Sequence, residues 1–323
     1  MSFPLFTKPE YVVIGIHGLQ NKPPKRLLRK WWIAAIKEGF ERAGYPFRPF
    51  AFELVYWAHH LYSKPLSLRE KRAGHPRFLD EPYIPSDQKK GKPKRKSLPF
   101  FLRPFVKKTL DTVFLGSRMQ KEVDVIAENL LAQSFPDLAL YYTNERVFSK
   151  KIGIRDLLRA ELRSVIEKYP NSKILLIAHS MGSIITFDVL SDNLYTIDTL
   201  VTVGSPVGLP LVRKRFAQER NILISDKDMI HTPESIRKGW FNLADTKDMV
   251  AFDSYIADNY SKNSFDVAPN DKHVFNDYVY NNCENHHNIL GYLRTPEMTK
   301  ILHDFIVQQP LTFWQRVKKE LFN

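Results

Sequence analysis

Short apolar, β-branched runs alternate along this chain with stretches of helical period, and that alternation predicts the architecture. Tyr11 to Ile16 (YVVIGI) reads as a buried strand that meets a turn at His17-Gly18. From about Lys25 to Ala43, Leu28, Trp31, Trp32, Ala35 and Ile36 recur at helical spacing, and Gly44 stops the helix. Phe50 to Trp57 (FAFELVYW) predicts a second strand. After a long irregular stretch the pattern returns with a helix from about Ile154 to Tyr169, closed by Pro170. A strand Lys173 to Ala178 (KILLIA) follows, then a helix to about Leu190 and a strand Ile197 to Val203 that ends at Gly204-Ser205-Pro206. Trp240 to Leu243 and Val274 to Tyr280 are the remaining candidate strands, and Ile289 to Val307 reads as the last helix. Strands that alternate with helices predict an α/β fold, a mostly parallel central sheet with helices on both faces.

Charge divides this picture. The 323 residues carry a net charge of +13, and the window from His60 to Gln120 holds 15 Lys/Arg against 5 Asp/Glu, so most of the excess sits there. Its first half is Pro-rich and contains the run Lys89 to Lys96 (KKGKPKRK), which repels itself. In its second half Leu98, Phe101, Leu102, Phe105, Leu110, Val113 and Phe114 recur at helical spacing among Arg103, Lys107, Lys108 and Arg118, a basic amphipathic segment interrupted by Pro104. The expected organisation is a core of residues 1–59 and 134–323 with a basic, Pro- and aromatic-rich insertion at 60–133 that acts as a lid or cap. Leu311 to Phe322 is a second basic, apolar stretch, expected to dock on the body. A single cysteine, Cys283, excludes a disulfide framework and leaves too few thiolates for a structural zinc site. No stretch approaches the roughly 20 apolar residues that span a bilayer. Met1 to Glu10 does not read as a signal peptide. A cytoplasmic location is expected, with a peripheral position at the inner membrane surface open to the basic insertion.

The candidate chemistry centres on Ile177-Ala178-His179-Ser180-Met181-Gly182-Ser183. A strand runs through a sharp turn straight into a helix, with Ser180 at the apex. Small residues two before and two after the serine, here Ala178 and Gly182, are sterically required because the two backbones approach closely. Such a turn projects the hydroxyl outward and sets the N–H of Met181 beside it, at a helix N-terminus where an oxyanion is stabilised. A serine that merely caps a helix is the plain alternative. His17-Gly18-Leu19 follows the first strand and is expected beside this turn, with the N–H of Leu19 as second oxyanion donor and His17 and Gly18 forming the oxyanion loop. An acid and then a base should follow the serine in the chain. Asp245 and Asp248 lie just after a predicted strand, and Asp248 is preferred with Asp245 as the alternative. For the base, Asn285-His286-His287-Asn288 opens the last helix; spacing favours His287, with His286 as the alternative. His59-His60 is expected at a strand end or in the cleft rather than on a metal, and no motif points to a metal or another cofactor.

These residues resemble the α/β-hydrolase superfamily, most closely its lipase and esterase branch. Ala-His-Ser-Met-Gly is similar to the elbow of small bacterial lipases, and Asp248-Met249-Val250 is similar to their acid loop. The similarity is carried by Tyr11 to Leu19, Leu175 to Gly182, Val201 to Pro206, Trp240 to Val250 and Asn285 to Leu293. It does not extend to His60–Gln133 or to Val207–Lys238, where substrate preference is set. The resemblance implies a serine hydrolase of carboxylic esters, with lipid or long-chain acyl esters as substrates, that works through a Ser180-Asp248-His287 triad and an acyl-enzyme without a cofactor. The basic insertion leaves two readings open, a peripheral contact with anionic membrane and a lid helix whose apolar face packs on the core with its lysines solvated. A thioesterase or acyltransferase on the same triad is the nearest alternative. A non-catalytic basic module for nucleic acid or membrane is the remote one, and no nucleic-acid motif accompanies the basic run.

Overall fold

The computed structural model of the protein describes residues 8–86, 135–146, 151–221, 229–251 and 253–308. In chain order the strands are β1 (Tyr11–Ile16), β2 (Ala51–Val55), β3 (Lys173–His179), β4 (Ile197–Val203), β5 (Ile230–His231), β6 (Ile236–Ala244), β7 (Tyr260–Ser261), β8 (Pro269–His273), β9 (Val279–Tyr280) and β10 (Cys283–Glu284). The helices are α1 (Lys25–Arg42), α2 (Pro136–Thr143), α3 (Ile154–Ile166), α4 (Met181–Leu190), α5 (Pro210–Glu219), α6 (Ile289–Tyr292) and α7 (Pro296–Val307). Six strands form one sheet in the order β2-β1-β3-β4-β6-β8, and each neighbouring pair is parallel.

The alternation of side chains along each strand builds two cores. Val12, Ile14 and Ile16 of β1 and Ile174, Leu176 and Ala178 of β3 join residues of α2 to α5 on one face. Tyr11 and Val13, with Leu175 and Ile177, join α1, α6 and α7 on the other. Both faces of the sheet are thus covered by helices, which is why the central strands are apolar without interruption. Helix α4 is buried along its whole length. Its single charge, Asp188, accepts from Tyr141 Oη at 2.6 Å, Arg155 Nη2 at 2.8 Å and Arg220 Nη2 at 3.2 Å, so α2, α3 and α5 clamp the helix that starts at the serine. A buried charge is tolerated only when paired in this way.

Four elements differ from expectation. The last strand of the sheet is β8, with the polar sequence PNDKH, and not the apolar run from Val274. As an edge strand it pairs only with β6, so its outer positions face water and carry no apolar signal. The expected helix from Ile289 breaks at Leu293–Thr295, where Thr295 caps α7 by accepting from Met298 N and Pro296 takes the first helical position. Helices α2 and α5 were not legible; each is short and opens on proline.

The basic run Lys89 to Lys96, the amphipathic segment from Leu98 to Arg118 and the stretch Leu311 to Phe322 lie outside the described residues. Residues 60–86, the start of the expected insertion, are tied to the body: Tyr83 Oη donates to Glu38 Oε2 at 3.0 Å, and Ile84 O accepts from Arg294 Nη1 at 2.7 Å. Among the described residues no helix is long and apolar enough to cross a membrane.

Candidate active site

Strand register gathers the candidate residues at one edge of the sheet. Ile16 pairs with Ala178, so Gly18 comes level with Ser180 at the carboxyl ends of β1 and β3. His179 pairs with Val203 and Val203 with Leu243, which brings Gly204 and then Asp245 alongside. The order of strands reverses between β1 and β3, because β2 lies on one side of β1 and β3 on the other. Parallel sheets leave a crevice at such a point.

Ser180 sits between β3 and α4 with φ 53° and ψ −128°. A side chain in that region costs on the order of 1–3 kcal/mol and persists only where the surroundings enforce it. Here Ser180 N donates to Val203 O at 3.0 Å, and Ser180 O accepts from Ser183 N at 2.9 Å and Ser183 Oγ at 2.6 Å. The expected need for small neighbours is met: a Cβ on Gly182 would come 2.8 Å from His17 O, and one on Gly18 would come 2.6 Å from Ser180 Cβ. The serine is therefore held against the loop after β1. Met181, the first residue of α4, has a backbone N–H with no acceptor inside its own helix.

His287 Nε2 lies 3.0 Å from Ser180 Oγ, and its Nδ1 lies 2.9 and 3.0 Å from the two oxygens of Asp248. These partners assign the tautomer: Nδ1–H donates to the carboxylate, and Nε2 accepts from the serine hydroxyl. Asp248 is buried, and its remaining acceptor capacity is filled by Tyr292 Oη at 2.7 Å and Val250 N at 2.9 Å. Gly204 has φ +53°, and a Cβ there would meet Asp248 Oδ2 at 2.8 Å and His287 Nδ1 at 3.0 Å. Only glycine leaves room for this hydrogen-bonded pair in that backbone conformation. The ring of His179 is buried, and its Nε2 donates to His287 O at 2.9 Å, which ties the histidine loop to the strand that carries the serine. Burial, aided by the neighbouring His287, holds His179 well below the ordinary histidine range and so neutral.

His17 does not face the serine as an acid or base. Its ring is buried and stacks on Trp57 at a centroid separation of 4.5 Å; its Nδ1 donates to Gly18 O at 2.8 Å, while its Nε2 accepts from Ala58 N at 3.4 Å. Burial, with Lys22 nearby, lowers its pKa to about 3, so the ring is a neutral brace for the loop. Leu19 follows, and its carbonyl accepts from Lys22 Nζ. A cavity of about 530 Å³ opens onto Ser180 and His287, and its lining includes the apolar Leu28, Trp31, Phe78 and Leu290 and the charged Lys22 and Glu81.

The alternates Asp245 and His286 form a second pair beside the first. His286 Nδ1 donates to Asp245 Oδ2 at 3.1 Å, and its Nε2 lies 3.3 Å from Glu284 Oε2. Asp245 also accepts from Asn276 N at 2.7 Å and Lys247 N at 2.8 Å. The hydrogen bond to Asp245 outweighs burial and raises the pKa of His286; the same hydrogen bond and those backbone donors overcome burial and lower that of Asp245. Tyr292 Oη joins the two pairs, since it donates to Asp248 and accepts from Asp245 N at 3.0 Å. The structure thus brings Ser180, His287 and Asp248 together and leaves His286 and Asp245 paired with each other. Tyr292, His179 and Gly204 carry parts of this arrangement that sequence reasoning did not reach, because each acts through a tertiary contact with no local motif.

Among the described residues, one group has the composition of a metal site: the donor atoms of His59, His60 and Glu161 fall within 4.8 Å of one another. Protein contacts already engage them, with His60 Nε2 3.4 Å from Glu161 Oε2 and His59 Nδ1 donating to Tyr56 O at 2.6 Å. Cys283 is exposed and free. The fold is α/β with a parallel six-stranded sheet. Compared with known proteins, the sequence matches no protein-family model and no curated protein.

Proposed function

We propose that the protein is a serine hydrolase of carboxylic esters, built on an α/β-hydrolase-like core in which Ser180 is the nucleophile, His287 the base and Asp248 the acid. The observation that carries this reading is the continuous chain from Ser180 Oγ to His287 Nε2 at 3.0 Å and from His287 Nδ1 to Asp248 at 2.9 Å. His287 takes the serine proton as Oγ attacks the ester carbonyl, and the resulting imidazolium is stabilised by Asp248. The N–H groups of Met181 and Leu19 are the donors for the oxyanion that forms. His287 then gives its proton to the departing alkoxide, and the acyl group stays on Ser180. A water molecule, deprotonated by His287, cleaves that acyl-enzyme and restores the serine. The strained backbone at Ser180 favours this role, since a capping serine needs no such conformation.

The apolar residues lining the cavity support an acyl chain of some length as the bound portion, and the charged ones among them support a hydrophilic alcohol part. Lipid or long-chain acyl esters combine both features. The residues 60–86 that contribute to the wall are the described part of the lid-type segment we assign to this region. A set of p-nitrophenyl esters of increasing chain length tests the reading. Hydrolysis that rises with chain length and is abolished in Ser180→Ala is expected. A wild-type protein that neither turns over these esters nor is labelled at Ser180 by a fluorophosphonate would sink it.

A further inference from the structure

One side chain links the cavity wall to the loop that carries the base. Glu81 lines the cavity, in a segment anchored by Tyr278 Oη donating to Pro82 O at 2.6 Å. Its Oε1 accepts from Asn285 Nδ2, and its Oε2 accepts from Asn288 Nδ2 at 3.0 Å. These asparagines bracket His286-His287. Their amide orientations are not free. Asn285 Oδ1 accepts from His287 N at 2.9 Å, and Asn288 Oδ1 accepts from Leu290 N at 2.9 Å. A backbone N–H can face only an acceptor, so each Oδ1 is turned inward and each Nδ2 outward. The partner outside must therefore present two acceptors, and a carboxylate is the side chain that does so without also presenting a donor. Burial, with Asp80 beside it, raises the pKa of Glu81, while the hydrogen bonds from Asn285 and Asn288 and the charge of Lys22 favour its carboxylate form.

We propose that Glu81 is a positioning residue for His287: its carboxylate holds Asn285 and Asn288, and through Asn285 the backbone of His287, so that the cavity wall and the base are set in place together. This rests on the serine-hydrolase reading of the site. It is not an acid or base in the reaction, and it makes no contact with Ser180 among the hydrogen bonds of the described residues.

The donor and acceptor pattern supplies the test. Glu81→Gln fills the same space but turns one amide N–H against an asparagine N–H. It should lower kcat about tenfold or more with KM within about twofold, as far as Glu81→Ala does. Reversing the polarity should rescue it. In Glu81→Gln with Asn288→Asp, the new glutamine donates to the new aspartate and still accepts from Asn285, while the other aspartate oxygen still accepts from Leu290 N. Recovery of most of the lost kcat is expected in this double variant. Amide hydrogen exchange of residues 283–292, read on the same full-length proteins, should rise in Glu81→Gln and Glu81→Ala and fall back in the double variant, while β3 and β4 stay protected. Unchanged exchange and unchanged kcat in Glu81→Gln, or a double variant as impaired as the single one, would overturn the proposal. If the wild type hydrolyses no ester, the function proposed above fails, and the exchange measurement still decides whether Glu81 orders the loop of His287.

Discussion

Two aspartate–histidine pairs stand side by side at the carboxyl edge of the sheet, drawn from the same two loops and alike in composition. Asp248–His287 reaches a serine, whereas Asp245–His286 reaches Glu284, Tyr292 Oη and backbone N–H groups. Both histidines line the cavity, but the His287 side chain is 25% exposed and that of His286 only 6%. The difference arises at a turn. His286 and His287 are the two central residues of a turn closed by Asn288 N donating to Asn285 O at 3.2 Å, and their side chains leave it toward different carboxylates. Two carboxylates three apart then supply one partner to each. Residue type therefore does not separate the two pairs; the third group and the access to solvent do.

The sharpest way to break the comparison is to remove each histidine in turn. Relative to wild type, His287→Ala should lose on the order of 10⁴–10⁶ in kcat for an ester substrate, as should Ser180→Ala. His286→Ala should retain activity within about tenfold, because its ring touches no group that we assign to the chemistry. The reverse ranking, measured by steady-state hydrolysis, would hand the role of base to the inner pair. Gly204→Ala comes next. A methyl group at φ +53°, 2.8 Å from Asp248 Oδ2 and 3.0 Å from His287 Nδ1, must push the outer pair apart and leave the inner one in place. Activity should fall about 100-fold or more, and the variant should lose about 1–2 kcal/mol of stability by denaturant unfolding. Tyr292→Phe is milder and touches both pairs at once. It removes a donor from Asp248 and an acceptor from the buried N–H of Asp245, which costs about 1–3 kcal/mol in stability and roughly tenfold in kcat. Equal kcat in Tyr292→Phe and wild type would show that Asp248 needs no second anchor.

The serine elbow and the central strands are legible in the sequence because their requirements are local. The elbow at Ser180 demands small residues at 178 and 182 within one short segment, and a buried parallel strand betrays itself by unbroken apolar sequence. The choice between Asp245 and Asp248 was harder to make, since both follow β6 in one loop and either could cap it. What separates them is Tyr292 and Gly204, residues 44 and 44 positions away in opposite directions along the chain from Asp248, and no pattern in the loop itself reports on those contacts. Glu81 was hidden for the same reason: its partners are 204 and 207 residues further on. The edge strand β8 escaped because exposure on its outer side removed the apolar signature on which strand reading depends. The break at Pro296 was present in the sequence, and a continuous apolar periodicity on either side concealed it.

The smallest effect sharpens the contrast most, because it asks whether the inner pair is ionic. The hydrogen bond to Asp245 raises the pKa of His286, so protonated His286 stabilises the folded chain; that contribution is complete below the unfolded histidine value of about 6.5 and fades as pH rises through the higher folded value. Asp245 behaves oppositely. Its lowered pKa contributes above the unfolded carboxylate value of about 3.9 and is lost as pH falls through the folded one. The two windows overlap between about pH 4 and pH 6.5, where both partners are charged. His286→Gln keeps a donor for Asp245 and removes the charge. Its loss of stability relative to wild type should therefore be greatest near pH 5 and shrink by pH 9, as read from denaturant midpoints at the two values. A loss of the same size at both would mean that His286 is neutral throughout, and the two pairs would then differ in what they touch but not in charge.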